Sequence, residues 1–114
     1  MDRARRKALL QAYKLAFPPM GIYAVRNLRS GRMLIGQSAN TTGALNRHRT
    51  QLRLGMHRIA QLQNDWRELG EEAFAFEVLQ LQEERAEATF DYAAEREAWL
   101  DAWRERMPPE DAYL

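Results

Sequence analysis

Arginine dominates the side chains of this sequence that could do chemistry. Of its 17 basic residues, all are arginine except Lys7 and Lys14. A planar guanidinium binds phosphate or carboxylate through two hydrogen bonds at once, which an ammonium group does not do. Arg49, Arg53 and Arg58 lie close together in the sequence. This pattern alone is consistent either with phosphate contacts or with an ordinary solvated face.

Charge is distributed very unevenly along the chain. Residues 1–58 carry 12 basic residues and one acidic residue, a net charge of +11, whereas residues 59–114 carry 5 basic and 15 acidic residues, a net charge of −10. The two halves could neutralise each other across one fold, or they could pair head to tail between the chains of an oligomer. The basic half could instead bind a polyanion such as a nucleic acid.

Glu97 stands apart from the other carboxylates around it. The helical pattern over residues 86–106 places most of the acids within an arc of about 120°, which is typical of a solvated helix face. These acids are Glu87, Asp91, Glu95, Asp101 and Glu105. Glu97 lies off that arc, at the margin of an apolar stripe that contains Leu100. A carboxylate in such a place needs a partner, and either a divalent metal or an arginine of the basic half would serve.

The two histidines are not spaced like the ligands of a metal site. His48 falls within the helical arc of Leu45 and Leu52, which predicts a histidine at the edge of the core with its hydrogen bonds satisfied. His57 begins a predicted helix and is expected at the surface. The sequence has no cysteine, which excludes a thiol nucleophile, a disulfide and a Cys-type zinc site.

The elements that position these residues indicate a small α+β domain. Hydrophobic periodicity predicts the order αββααβα with a three-stranded sheet. The predicted helices are 2–16, a segment capped within 38–42 and running to about Leu54, 57–69 and 86–106, and the predicted strands are 21–27, 32–37 and 73–81. The third strand is apolar on both faces, so we expect it in the centre of the sheet. The final residues, PPEDAYL, are expected to fray.

The length and composition exclude several classes of protein. A chain of 114 residues is long enough for one domain. No apolar run approaches the roughly 18 residues of a membrane span, and the N-terminal segment lacks the apolar core of a signal peptide. Because the absence of cysteine fits a reducing compartment, we expect a cytoplasmic protein that does not bind membranes.

Two short motifs on the first two predicted strands resemble the GIY-YIG endonuclease superfamily. Gly21-Ile22-Tyr23 is followed on the next strand by Leu34-Ile35-Gly36. Further segments match the family's pattern in order and spacing: Ser38-Ala39-Asn40, His48, the stretch from Leu52 to His57, Leu62 to Trp66, Gly70 to Leu79, and Glu95-Arg96-Glu97-Ala98-Trp99. The resemblance covers roughly residues 20–103 and is to a divergent small bacterial branch whose second motif reads LIG.

The resemblance implies a fold and a domain organisation. The expected architecture is a small three-stranded antiparallel sheet flanked by helices. A single domain spans residues 1–114, with the GIY-YIG-like core at 20–103 and an extra N-terminal helix at 2–16. An oligomer could form through this helix as well as through the oppositely charged halves.

The resemblance also implies a catalytic site. Tyr23 orients or activates water, and Glu97 holds a single Mg²⁺ or Mn²⁺ ion that polarises the phosphate. Leu34 stands where the family has its second tyrosine, and Ala44 stands where it has its arginine. Two of the four matched positions are therefore apolar in this sequence.

Arg47 and His48 complete the implied catalytic set. Arg47 lies one helical turn beyond the family's arginine position and could reach back into the site, and His48 is expected to face the phosphate. DNA is the implied partner, contacted by Arg47, Arg49, Arg53 and Arg58. We therefore predict a metal-dependent phosphodiester endonuclease with a degenerate active site and weak or lost cleavage. The alternative is a non-catalytic DNA-binding or protein-interaction module with a regulatory role.

Overall fold

The computed structural model describes residues 2–5 and 18–113. Its strands are β1 (Met20–Asn27), β2 (Met33–Ser38) and β3 (Phe74–Gln82), and its longer helices are α1 (Thr41–Arg53), α2 (Ala60–Leu69) and α3 (Tyr92–Arg106). Short 3-10 turns lie at Glu71–Ala73 and Pro109–Asp111. The predicted α+β class with a three-stranded antiparallel sheet is confirmed.

The strand order is β2-β1-β3, so the prediction that the third strand is central is wrong. β1 is the strand that is enclosed, since Ile22 and Val25 on its two faces are both 0% exposed. In β3, by contrast, Val78 and Leu81 are 40% and 62% exposed. Both strands are apolar on both faces, so composition could not tell the central strand from an edge strand.

Helices cover both faces of the sheet. On one face, α1 and α2 pack on a cluster that includes Tyr23, Val25, Leu34, Ala44, Leu45, Leu52, Leu62, Trp66 and Phe74. On the other face, α3 packs on Ile22, Ala24 and Ile35 through Trp99, Leu100, Trp103 and the adjoining Met107. Alternate residues of β1 therefore belong to different layers, as the two-residue period of a strand requires.

Two helices begin later than predicted. α3 begins at Tyr92 rather than at residue 86, because the Asp91 side chain caps it by accepting a hydrogen bond from the Ala94 N–H at 3.0 Å. α2 begins at Ala60 rather than at residue 57. Residues 3–5 are helical, but the rest of the predicted helix at 2–16 lies outside the described residues. No helix in the described segments is long and apolar enough to cross a bilayer.

The C-terminal segment is anchored, so the prediction that it frays is wrong for residues 108–113. Tyr113 is 3% exposed, and its backbone N–H donates to the Met33 carbonyl at 3.0 Å. Its hydroxyl donates to Asp65 at 2.6 Å and accepts from the Asn27 side chain at 2.9 Å. These bonds join the hairpin turn, α2 and the chain end. The anchor depends on one aromatic residue in a polar tail, which local composition does not reveal.

Replacing Tyr113 with phenylalanine should test this anchor. The Tyr113→Phe variant keeps the ring but removes the hydroxyl that bonds the Asp65 carboxylate and the Asn27 amide nitrogen, so the free energy of unfolding should fall by about 1–3 kcal/mol. Urea denaturation at pH 7 measures the change. Tyr92→Phe is the matched control, because the Tyr92 hydroxyl bonds an exposed backbone segment at Arg85. Equal losses in the two variants would contradict a special role for Tyr113.

Candidate active site at the edge of the sheet

Strand pairing places Tyr23 against a glycine. Tyr23 on β1 is opposite Gly36 on β2, and a Cβ atom on Gly36 would clash with the Tyr23 hydroxyl oxygen. The phenol ring therefore lies across the Gly36 backbone, on the face that packs against α1. The glycine of the second motif is needed here because only a residue without a side chain leaves room for the ring.

Gly21, the first glycine of the motif pair, is also required by a close approach of the backbone. Gly21 has a φ of 148°, and a Cβ atom at this position would clash with the Gln80 carbonyl oxygen of β3. One step further along, the β1–β3 register shifts between Ile22 and Tyr23. Gly21 therefore lets β3 approach β1 closely, and Gly36 leaves room on β2 for the Tyr23 ring.

The Tyr23 hydroxyl begins a chain of buried hydrogen bonds. Its oxygen lies 3.0 Å from Nε2 of His48 on α1. Nδ1 of His48 lies 2.9 Å from Nε2 of His57, and Nδ1 of His57 accepts the Ile59 backbone N–H at 3.1 Å. Tyr23, His48 and His57 are only 6%, 4% and 7% exposed. We refer to these groups, from Ile59 N–H to the Tyr23 hydroxyl, as the histidine relay.

Gln63 holds the loop that carries His57. Its side-chain oxygen accepts the His57 backbone N–H at 2.9 Å, and its amide nitrogen donates to the Leu52 carbonyl at 3.1 Å. The expectation that His57 lies at the surface is therefore wrong. Gln63 is 4% exposed, and sequence reasoning missed it. A buried amide on the apolar face of an amphipathic helix was the available signal.

Burial keeps both histidines neutral near pH 7. Burial, together with the neighbouring charges of His57, Arg47 and Arg58, lowers the pKa of His48 to about 4. Burial, and then the charge of Arg58, lowers the pKa of His57 as well. The prediction of a core-edge histidine with satisfied hydrogen bonds fits His48, since both of its ring nitrogens have partners.

Positive charges of three arginines act on the Tyr23 hydroxyl. Arg47, Arg58 and Arg104 all lower its pKa. Burial has the larger effect, so the pKa of Tyr23 is raised and the phenol is protonated at neutral pH. All three arginines are exposed. A buried hydroxyl on which three exposed cations act is an arrangement suited to an anion such as a phosphate group.

The arginines predicted to contact nucleic acid divide into two groups. Arg47 and Arg58 lie close enough to Tyr23 and His48 to shift their pKa values. Arg53 instead forms a two-fold hydrogen-bonded ion pair with Glu71, its Nη2 lying 2.8 Å from Oε2. The Arg49 guanidinium lies 4.3 Å from the centre of the Phe76 ring. These last two guanidiniums already have intramolecular partners.

Glu97 is exposed on α3. No hydrogen bond or ion pair joins it to another residue within the described segments. Arg104 follows seven residues later, which is about 20° from the same direction on a helix with 100° per residue. Glu97 therefore shares a side of α3 with Arg104, whose charge acts on Tyr23. In residues 2–5 and 18–113, no group of three or more acidic or histidine side chains is arranged to hold a metal by itself.

Leu34 and Ala44 form part of the apolar wall around Tyr23. They are 8% and 6% exposed and belong to the same buried cluster as the phenol ring. Leu34 also lines a cavity of about 260 Å³, together with Arg104 and Tyr113. The structure therefore shows only buried apolar side chains at these two positions.

Comparisons with known proteins identify the fold. No family model matches the chain, and no curated protein sequence matches it either. The catalytic domain of homing endonuclease I-TevI has a TM-score of 0.65 at 21% identity, covering 82% of this chain and 95% of that one. A mutant catalytic domain of intron endonuclease I-TevI has a TM-score of 0.68 at 18% identity, covering 84% and 92% respectively.

These neighbours define a class: an α+β domain built on a three-stranded antiparallel sheet with flanking helices. The particular fold is that of the GIY-YIG catalytic domain, which confirms the resemblance carried by Gly21-Ile22-Tyr23 and Leu34-Ile35-Gly36.

Acid should destabilise the protein through His48. The folded-state pKa of about 4 lies below the ordinary 6.5, so the neutral ring stabilises the fold fully above pH 6.5, and this contribution is lost as the pH falls to about 4. At about 1.36 kcal/mol per pKa unit, the loss reaches about 3 kcal/mol. Urea unfolding between pH 7 and pH 4 measures it. His48→Gln removes the titrating group, so the free energy of unfolding of this variant should fall less between pH 7 and pH 4 than that of the unmodified protein. An equal fall in both proteins would show that His48 is not the group responsible.

Proposed function

We propose that this chain binds DNA phosphates at the β2 edge of the sheet, towards which the Tyr23 side chain extends across Gly36, and hydrolyses a phosphodiester bond there, slowly and with a divalent metal. The observation that carries the proposal is the buried Tyr23 hydroxyl, held 3.0 Å from His48, on which the charges of the exposed residues Arg47, Arg58 and Arg104 act. The I-TevI domains with this fold are described as catalytic domains of endonucleases.

The charges around Tyr23 support a polyanion as substrate. Three cations act on one hydroxyl and lower its pKa. Guanidinium groups bind phosphate in a planar, two-bonded manner, and Arg47 and Arg58 lie in the basic half of the chain. A phosphodiester would receive hydrogen bonds from these groups and from the Tyr23 hydroxyl as charge builds on its oxygens.

Glu97 supports a loosely held divalent ion. Mg²⁺ commonly keeps several waters and takes one or two carboxylates together with a substrate phosphate. The exposed Glu97 carboxylate has no protein partner among the described residues, so it can contribute one such oxygen ligand. When bound, Mg²⁺ or Mn²⁺ would polarise the phosphate and stabilise the leaving oxygen. An ion held by one carboxylate would bind weakly without DNA.

Slow hydrolysis is expected because two donors are missing. The net reaction adds one water molecule across a P–O bond, and negative charge builds on the phosphate oxygens on the way. Leu34 and Ala44 have no hydrogen-bond donor to place there, and the loss of one such donor typically costs about 10²–10³ in rate. Arg47 compensates in part, since its charge acts on Tyr23 from the turn that follows Ala44.

A non-catalytic DNA-binding module is the second candidate. The burial of Leu34 and Ala44 in the core favours it, because two positions expected near the phosphate then carry hydrocarbon side chains that pack inwards. Pairing of the oppositely charged halves between chains stays a prediction, and so does a cytoplasmic location. Within one chain, the Arg26–Glu77 and Arg53–Glu71 ion pairs already join the two halves.

DNA binding should depend on the arginines around Tyr23. In Arg47→Ala with Arg58→Ala, the slope of log K against log salt should become less negative by about 0.9 for each phosphate that the variant no longer neutralises. Fluorescence anisotropy with a labelled duplex at several salt concentrations measures it. The comparison variant, Arg49→Ala with Arg53→Ala, should change the slope less, because those guanidiniums have intramolecular partners. A salt-independent affinity of the unmodified protein would rule out this mode of binding.

Cleavage should be weak and should depend on Glu97. Supercoiled plasmid should be nicked slowly at high Mg²⁺ or Mn²⁺, Glu97→Gln should abolish nicking, and Tyr23→Phe should lower the rate by about 10²–10³. Glu105→Gln is the matched control, because Glu105 is an exposed acid of the same helix. Nicking that persists in Glu97→Gln would show that the metal assignment is wrong. Salt-dependent binding without nicking would favour the non-catalytic module.

A further inference from the structure

The histidine relay has a direction, and a backbone group sets it. The Ile59 N–H can only donate, and it donates to Nδ1 of His57 at 3.1 Å. That nitrogen must therefore carry a lone pair, so the proton of the neutral His57 ring is on Nε2. The tautomer of His57 follows from a peptide group that cannot titrate.

The direction passes through His48 to Tyr23. The protonated Nε2 of His57 donates to Nδ1 of His48 at 2.9 Å. Nδ1 of His48 is then the acceptor, so the His48 proton is on Nε2 and is donated to the Tyr23 oxygen at 3.0 Å. All the hydrogen bonds of the relay point from Ile59 towards Tyr23, and hydrogen bonds aligned in this way polarise one another.

The Tyr23 oxygen accepts a hydrogen bond from within the core, since His48 donates to it. A hydroxyl oxygen has two lone pairs and one proton. His48 cannot accept that proton, because its Nε2 already carries one. The O–H of Tyr23 is therefore left to a further acceptor. The charges of the exposed residues Arg47, Arg58 and Arg104 all act on this hydroxyl and favour an acceptor that is an anion.

We propose that the relay makes Tyr23 a hydrogen-bond donor to the substrate phosphate, and that His57 is the positioning residue that enforces this through His48. This inference rests on the proposed function, because it requires a phosphate at the arginines. No proton is transferred. The phenol proton points to the exposed edge and bonds a phosphate oxygen that Arg47 and Arg58 also contact. His57 touches no substrate and acts by holding His48 in one tautomer.

Nuclear magnetic resonance can observe the tautomers directly. Long-range ¹H–¹⁵N spectra of the full chain with ¹⁵N-labelled histidine, at pH 7 without DNA, should show both rings protonated at Nε2 and unprotonated at Nδ1. A proton on Nδ1 of His48 would overturn the proposal, whatever the protein does to DNA. The expected tautomers combined with no DNA binding would leave the relay's direction intact. That result would overturn the phosphate contact and the proposed function together.

Binding of a short duplex, with Ca²⁺ in place of Mg²⁺, tests the contact itself. Tyr23→Phe should weaken binding about tenfold, the effect of losing one hydrogen bond to a charged group. His57→Leu should weaken binding similarly, because His48 is then free to adopt the other tautomer. His57→Gln should restore it, since the amide N–H can still donate to His48.

Two further readouts separate positioning from a general loss of structure. The His48 resonances of His57→Leu should show a mixture of tautomers, and those of His57→Gln should match the unmodified protein. If His57→Leu is too unstable to study, the His57→Gln spectrum and affinity carry the comparison. Unchanged tautomers and affinity in a folded His57→Leu variant would overturn the proposal.

Discussion

The contact between the Tyr23 ring and the Gly36 backbone is the constraint on which the rest of the site depends. It holds only in the register that pairs these two residues. A slip of one residue would turn Tyr23 towards α3, on the face of the sheet away from His48. The register is fixed by apolar residues that alternate between the two layers, such as Ile22 on one side and Val25 on the other. Core packing thereby positions a hydroxyl.

Local patterns predicted the elements and the buried side of α1, but not the relay. The arc shared by Leu45, His48 and Leu52 placed His48 against the core, because helical periodicity is a property of neighbouring residues. The burial of His57 depends on Gln63, which folds the preceding loop inwards. The edge position of β3 is likewise a tertiary outcome. Such tertiary contacts join segments that are distant in the sequence, and local patterns in either segment do not predict them.

The distribution of charge along the sequence also predicted only part of the site. The division into a basic and an acidic half pointed to Arg47 and Arg58, both of which act on Tyr23. It could not point to Arg104, which lies in the acidic half on α3 and whose charge nevertheless lowers the pKa of Tyr23. It also overestimated Arg53, whose charge is paired with Glu71 from that same half. Net charge describes a segment, whereas a site is assembled from single residues of several segments.

The apolar residues at positions 34 and 44 act on the site in two opposing ways. Under the proposed function they offer no donor to a phosphate, which lowers the rate expected of hydrolysis. They also belong to the cluster that buries Tyr23, and burial is the main cause that lowers the pKa of His48. A neutral His48 is a condition for the relay, because a doubly protonated ring could not accept from His57. A low local dielectric also strengthens the aligned hydrogen bonds. The apolar residues that lower the proposed rate of hydrolysis therefore also help to keep His48 neutral. In the inferred relay, a neutral His48 is what directs the Tyr23 O–H outwards.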